Sequence, residues 1–280
     1  MGKMQRHISI VLIALGFAIT VTAQTGIRNV DFKNFTYEPT CAPEESKKVM
    51  VKNGSFYKEQ QIEGIVDRFS FDIFGVAFGD LDGDKQDEAV VLGVCNTGGT
   101  GNFSEGFVYK MRSGKPVLIE RIEGGDRAYG GIKSAKVADG FAFIERYDPG
   151  KDGANCCPEL ILTSKYKLTN GKLAEIGKPV QRDVYPTERV TFARGASGKT
   201  FQTTIPAGEG KHFVVGARAG QRLSVSTDSS DAGLRLLEDA KITDGTNSFL
   251  AVLPKTGDYT IEVQNNGDKD LVVTLTIKIN

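Results

Sequence analysis

Between residues 24 and 178 short apolar runs alternate with turn signals, the pattern of antiparallel sheet. Phe69, Phe71 and Ile73 alternate with polar residues, and Ala89-Val90-Val91-Leu92-Gly93-Val94 reads as a buried strand. Phe107 to Met111 and Val117 to Ile119 flank a turn at 112–116. Ile132 to Val137 and Phe141 to Tyr147 flank Ala138-Asp139-Gly140, and Leu160 to Leu168 runs into Asn170-Gly171. Asp-Gly and Asn-Gly are strong short-range hairpin signals because both central residues of the favoured turn need positive φ. Before Val49 the chain is polar and irregular, which predicts an extended arm held by Cys41. Beyond residue 190 short apolar runs recur at Val190–Phe192, Phe201–Ile205, His212–Ala217, Leu223–Ser226, Leu234–Leu237, Phe249–Leu253, Tyr259–Val263 and Leu271–Ile279. That spacing predicts a β-sandwich. No segment past the N-terminus sustains a helical period.

The expected fold is therefore all-β: an antiparallel, disulfide-stapled N-terminal β domain over 24–178, then a C-terminal β-sandwich, jelly-roll-like, over 189–280. Residues 179–188, with Pro179, Pro186 and mixed charges, read as a linker.

The N-terminus assigns the compartment. Lys3 and Arg6 precede an apolar run from Ile8 to Val21, and Val21-Thr22-Ala23 supplies a small-residue cleavage site, so 1–23 reads as a signal peptide. The run is shorter than the roughly 20 residues of a spanning helix. This predicts a secreted or periplasmic protein with no membrane span once the signal is removed. Losing Lys3 and Arg6 leaves 33 basic residues against 35 acidic, a net charge of −2. A neutral-to-acidic balance excludes nucleic acid as the main partner, because phosphate binding needs a basic surface. His7 leaves with the signal, so His212 is the remaining histidine. Zinc sites built on several imidazoles cannot be assembled from it, and its setting in Lys211-His212-Phe213-Val214 reads as a strand histidine.

In an oxidising compartment Cys41, Cys95, Cys156 and Cys157 imply two disulfides. A bond between the adjacent pair would strain the intervening peptide, so Cys156 and Cys157 are each expected to reach Cys41 or Cys95. Cys156-Cys157-Pro158 lacks the two-residue spacer of a thioredoxin-type redox site.

The sharpest chemical motif is Asp80-Leu81-Asp82-Gly83-Asp84-Lys85-Gln86-Asp87-Glu88. Asp80, Asp82, Asp84 and Glu88, with the Gln86 backbone carbonyl, can converge on one hard cation, and Ca²⁺ accepts six to eight oxygens. The run that follows is a strand, so the loop resembles the calcium loops of FG-GAP repeats, and the implied cofactor is a structural Ca²⁺. Two departures count against it: position 6 holds Lys85 where glycine is usual, and the loop occurs once. Two glycine-rich stretches are the candidate ligand loops. One presents Thr97, Gly98, Gly99 and Thr100; the other presents Asp126, Arg127 and Tyr129. With the acidic loop and Cys156-Cys157-Pro158, this portion resembles a family of secreted bacterial proteins, a resemblance that brings no activity with it. Ala193-Arg194-Gly195-Ala196-Ser197-Gly198-Lys199-Thr200 matches a loose phosphate-loop pattern, but a strand pattern follows where a helix is required, so it reads as a hairpin turn.

The C-terminal region carries Val190-x-Phe192-Ala193-x-Gly195-x-Ser197-Gly198, Ala217-Arg218-Ala219-Gly220-Gln221-x-Leu223-Ser224-Val225 and Leu253-Pro254-x-Thr256-Gly257-Asp258-Tyr259-x-Ile261-x-Val263. This framework is similar to bacterial pre-peptidase C-terminal-type sandwiches and to the periplasmic inhibitors of g-type lysozyme. The inhibitors carry a long basic insertion between their last strands; here that place holds only Gln264-Asn265-Asn266-Gly267-Asp268-Lys269-Asp270. The resemblance implies the sandwich rather than inhibition. Together these readings predict a non-catalytic envelope protein, an accessory or binding module for an envelope protein or glycan. The alternatives are a lysozyme-type inhibitor and a glycan-active enzyme.

Overall fold

The computed structural model describes residues 26–43, 47–62 and 64–280; the signal peptide expected over 1–23 lies outside them. Among the described residues no helix is long and apolar enough to cross a membrane. The architecture is all-β. β1 (Thr36–Tyr37) and β2 (Val49–Met50) pair at the start of the chain. β3 (Ser55–Ile62), β4 (Ile65–Gly79), β5 (Glu88–Asn96), β6 (Phe103–Arg112) and β7 (Lys115–Asp126) form an antiparallel meander in chain order. β8 (Ile132–Ala138), β9 (Phe141–Asp148) and β10 (Leu160–Thr169) build a second sheet. The far edge of β10 is shared between two short strands. β11 (Lys172–Glu175) takes its second half and β12 (Val180–Asp183) its first. The hairpin tips behave as their sequences predict: Asp139-Gly140 has φ 53° and 74°, and Asn170-Gly171 has 53° and 77°, the double positive φ of a type I′ turn.

β5 is covered on both faces, which is why its sequence is a continuous apolar run rather than an alternating one. Ala89, Val91 and Cys95 face a core of Phe69, Phe71, Phe107 and Tyr109. Val90 and Leu92 face the opposite core with Val108, Ile132 and Ile144, because β8 lies across β4, β5 and β6. The N-terminal arm closes the first of these cores. Its sequence reads as polar and irregular, yet Ile27, Phe32 and Tyr37 are buried and Phe35 packs beside them. Tyr37 meets Phe71 and Phe107 at 5.5 and 5.3 Å between ring centroids, and its hydroxyl donates to the Phe32 carbonyl. The aromatic residues are spaced singly among Asp, Lys and Asn, so no run marks them in the sequence.

The disulfide expectation needs correction. Cys41 bonds Cys95, tying the arm to β5, and Cys156 bonds its neighbour Cys157. The Cys156 and Cys157 α-carbons are 3.8 Å apart, and the Cys157 amide closes a turn onto the Ala154 carbonyl. The adjacent sulfurs are held together by the chain itself, and Cys41 and Cys95 are already partnered.

The second unit follows as β13 (Thr187–Arg189), β14 (Gly198–Ile205), β15 (Gly210–Ala217), β16 (Arg222–Thr227), β17 (Ala232–Leu236), β18 (Lys241–Gly245), β19 (Ser248–Val252), β20 (Gly257–Asn265) and β21 (Leu271–Ile279). Its two sheets run β13-β15-β20-β17 and β14-β21-β16-β19-β18. Alternate residues of β20 and β21, Tyr259, Ile261, Val263, Val273, Leu275 and Ile277, fill the space between them. β13 pairs with β15 in parallel, whereas the other described pairs are antiparallel. It lies earlier than the expected strand at Val190–Phe192. The phosphate-loop-like stretch is a turn into β14, closed by the Ala196 amide on the Ala193 carbonyl. Residues 179–188 are not a free spacer, since they contain β12, which completes the first unit's sheet, and most of β13, which edges the sandwich.

Phe107→Ala should lower unfolding free energy by about 3–5 kcal/mol, read from urea denaturation, since the ring is fully buried in the arm-facing core. Phe103→Ala, on a side chain 47% exposed, should cost less than about 1 kcal/mol in the same measurement.

Candidate functional site

The acidic loop joins β4 to β5 and is a closed structure built from its own carboxylates. Asp80 Oδ1 accepts from the Gly83 amide at 2.6 Å and Oδ2 from the Lys85 amide at 2.8 Å. Asp82 accepts from the Asp84 amide and Asp84 from the Gln86 amide. Leu81, fully buried, pins the loop to the core under β8, and Glu88 Oε2 accepts the Leu81 amide at 2.8 Å. Lys85 adopts φ 68°, the left-handed backbone for which glycine is usual at that position. The Gln86 side-chain amide reaches Asp84 at 3.4 Å.

A side chain absent from the motif dominates this loop. Lys110 on β6 places Nζ 2.5 Å from Asp82, 2.8 Å from Asp84 and 3.1 Å from Glu88. Burial opposes the Lys110 charge, but the hydrogen bonds to Asp82 and Asp84 and the nearby Glu88 outweigh it and raise its pKa. The same ammonium, with the Gln86 amide, holds Asp84 below its ordinary value. Glu88 moves the other way: burial pushes it up, against the Leu81 amide and Lys110. One oxygen each from Asp80, Asp82 and Glu88 lie within 4.8 Å of one another. These carboxylates are of the right kind for a hard cation, and the space they converge on is reached by Lys110.

The two glycine-rich loops meet, and their residues serve different ends. Thr97, Gly98, Gly99 and Thr100 are exposed, on a loop tied by the Asn96 side chain to the Gly99 and Gly101 carbonyls. Asp126 binds the loops to each other. Its carboxylate accepts from the Asn102 amide at 2.7 Å, the Asn155 side chain at 2.7 Å and Arg127 at 3.2 Å, and the Asn102 amide leads the causes that lower its pKa. Tyr129 projects outward, 58% exposed. The glycines are needed for closure: a Cβ on Gly125 would lie 1.8 Å from the Tyr129 carbonyl oxygen.

Of these candidates Arg127 lines a groove. The groove, about 400 Å³, lies where the two units meet, between Arg127, Tyr147, Asn155, the Cys156–Cys157 bridge, Pro158 and Tyr185. Asn155 Oδ1 is buried in this wall with no hydrogen-bond partner among the described residues. The back of Tyr185 is fixed, its ring stacked on His212 at 5.1 Å, and His212 Nε2 lies 3.3 Å from Glu262. The sequence pointed to the loops and missed this groove, whose residues are scattered from 127 to 208 and share no local pattern.

An ion cluster locks the two units behind the groove. Glu209, from the sandwich, is 2% exposed. It receives Arg182 at 2.6 and 2.8 Å and Lys133 at 2.8 Å, both from the first unit. Arg182 also bonds Glu145, which accepts from Ser134. Burial pushes both carboxyls up. Arg182 and Lys133 overcome that at Glu209, and Ser134 with Arg182 at Glu145, so both lie below their ordinary value.

The connection between β20 and β21, residues 266–270, is a turn folded onto its own domain. The Asn265 side chain, 1% exposed, donates to the Ile205 and Lys269 carbonyls and accepts from the Gly267 amide.

Comparison with known proteins gives a partial likeness. No family model matches the chain, and no curated protein does. Among solved structures, PliG of Aeromonas hydrophila, a periplasmic inhibitor of g-type lysozyme, is similar at 22% identity and TM-score 0.31, over 34% of this chain and 97% of that one. PliG of Salmonella Typhimurium is similar at 21% identity and TM-score 0.30, over 34% and 98%. A mutant of the Escherichia coli inhibitor aligns at 18% identity and TM-score 0.30, over 34% and 99%.

The ion cluster predicts an acid dependence. Because Glu145 and Glu209 have lowered folded pKa values, they add stability that is complete above the ordinary value of 4.5 and is lost as pH falls through the lower folded values. Glu209→Gln should destabilise by about 3 kcal/mol at neutral pH, by leaving Arg182 and Lys133 short of a partner. The gap between mutant and wild-type melting temperatures should narrow as pH falls through that range.

Proposed function

We propose that the protein is a non-catalytic binding protein of the periplasm or cell exterior, with its ligand site in the groove at the junction of the two β units. The observation that carries this reading is the groove's construction. Its volume of about 400 Å³ is within the range of small-ligand sites, and the Glu209 cluster behind it fixes both walls before any ligand arrives. Preformed walls spare a ligand the cost of ordering them. Tyr147 and Tyr185 offer ring surface, the exposed Cys156–Cys157 bridge and Pro158 add apolar surface, and Arg127 supplies a charged group at the same wall. That mixture suits a sugar, whose ring has apolar faces and a hydroxyl rim, so the proposed ligand class is an envelope glycan fragment. Tyrosine serves in place of tryptophan, which the chain lacks.

The acidic loop has a structural part in this reading. It is a calcium-type turn, closed by a cation, that fixes the start of β5.

The test is calorimetric titration of the mature protein with soluble peptidoglycan fragments. Saturable binding is expected, weakened about tenfold or more, equivalent to about 1.4 kcal/mol, by Tyr147→Ala and by Arg127→Asn. Asparagine is chosen because it tolerates the left-handed backbone at 127, where φ is 47°. Absence of binding, or binding indifferent to both substitutions, overturns the groove reading. The same samples added to lysozyme assays separate the rivals: slowed lysis supports an inhibitor, and release of new reducing ends by the protein alone supports an enzyme.

A further inference from the structure

The loop at Asp80–Glu88 carries a second inference, which rests on the structural part given to it above. Five carboxylates in one short connection repel one another unless positive charge sits among them; Asp87 is met by Arg28, which leaves the other four. Asp82, Asp84 and Glu88 each turn an oxygen toward a single point, and that point is the Lys110 ammonium, on a side chain 16% exposed. An independent observation marks the same point as a coordination site. Glu88 is fully buried, and its Oε1, facing Lys110 at 3.1 Å, takes no hydrogen bond among the described residues. A buried carboxylate oxygen left in that state is rare in folded proteins and calls for an explanation. Here the ammonium hydrogen-bonds Asp82 and Asp84 and meets Glu88 Oε1 as an ion pair outside hydrogen-bond geometry.

We infer that Lys110 is a resident counter-cation that stands in for a divalent metal, and that a latent Ca²⁺-class site lies beneath it. The strand register places it there: Ala89 pairs with Tyr109, which sets Lys110 beside Glu88. Ca²⁺ bonds oxygens at about 2.3–2.6 Å and needs six or more of them. An ammonium 2.5 Å from Asp82 fills the space such an ion would take, so the two exclude each other. The lysine is tethered, so its effective concentration at the loop exceeds that of a free ion near the millimolar range. The loop is therefore closed without metal, and a dication gains access when the ammonium is withdrawn.

The experiment uses the full mature chain. Wild-type melting temperature should be the same in millimolar Ca²⁺ and in excess chelator. Lys110→Met keeps the apolar stem and removes the charge; it should melt lower by about 3 °C or more in chelator and recover most of that loss in Ca²⁺. Calorimetry should show Ca²⁺ binding to Lys110→Met about tenfold or more tighter than to wild type. Lys110→Arg, which retains the charge, should stay indifferent to the ion. Should Lys110→Met fail to fold in chelator, refolding in Ca²⁺ alone gives the same answer. A wild-type protein stabilised by Ca²⁺ overturns the stand-in role while keeping the calcium reading of the loop. A Lys110→Met protein that ignores Ca²⁺ overturns both. Neither result bears on the groove, because Tyr147 and Arg127 lie outside the loop.

Discussion

The first unit depends on one constraint: β5 has no face open to water. Its odd residues need the aromatic arm and its even residues need the second sheet, so two otherwise separate layers are held at a common strand. The Cys41–Cys95 bridge tethers the arm at the end of that strand. The beginning of the strand carries the cost of the same arrangement. Glu88 starts β5 and is buried with it, and a buried carboxylate is tolerable only with partners that satisfy it. The Leu81 amide satisfies one oxygen and the Lys110 charge faces the other, and the loop's shape follows from them.

Burial with compensation recurs elsewhere. Glu105 is 7% exposed and accepts from Thr40 and Arg121, the latter also lying over the Phe107 ring at 5.1 Å. Glu209 does the same with Arg182 and Lys133. The near-equality of acidic and basic residues is thus partly structural. Each buried acid is met by a cation from another element, so charge pairs fix the arm, the loop and the junction of the two units at defined positions. The apolar cores supply the bulk of the stabilisation, and the pairs specify which elements meet.

Much of this fold was legible because its turns and buried strands obey local rules. Asp139-Gly140 and Asn170-Gly171 encode their turn type in two residues, and the run from Ala89 to Val94 announces a strand covered on both sides. The elements that escaped are edges. β3 reads Ser-Phe-Tyr-Lys-Glu-Gln-Gln-Ile and the five residues of β18 are all exposed, so neither leaves an apolar signature. The arm escaped because its aromatic residues are isolated in polar sequence. The cysteine pairing escaped because peptide strain argues against a bond between neighbours, while the chain itself keeps the two sulfurs close. In the acidic loop the carboxylates were legible, while the lysine among them comes from a strand more than twenty residues away and is placed by register. The groove was illegible for the same reason on a larger scale.

The short path from β12 to β13 has a consequence for how the protein can be divided. Within a few residues the chain finishes one unit's sheet and begins edging the other, with the Pro186 carbonyl already accepting the His212 amide. A cut on either side of this segment deprives one half of a border strand and leaves bare backbone there. Such a border recruits whatever chain is nearest, including another copy of itself. The two halves are therefore poor candidates for independent expression or for exchange as interchangeable modules, despite their separate cores.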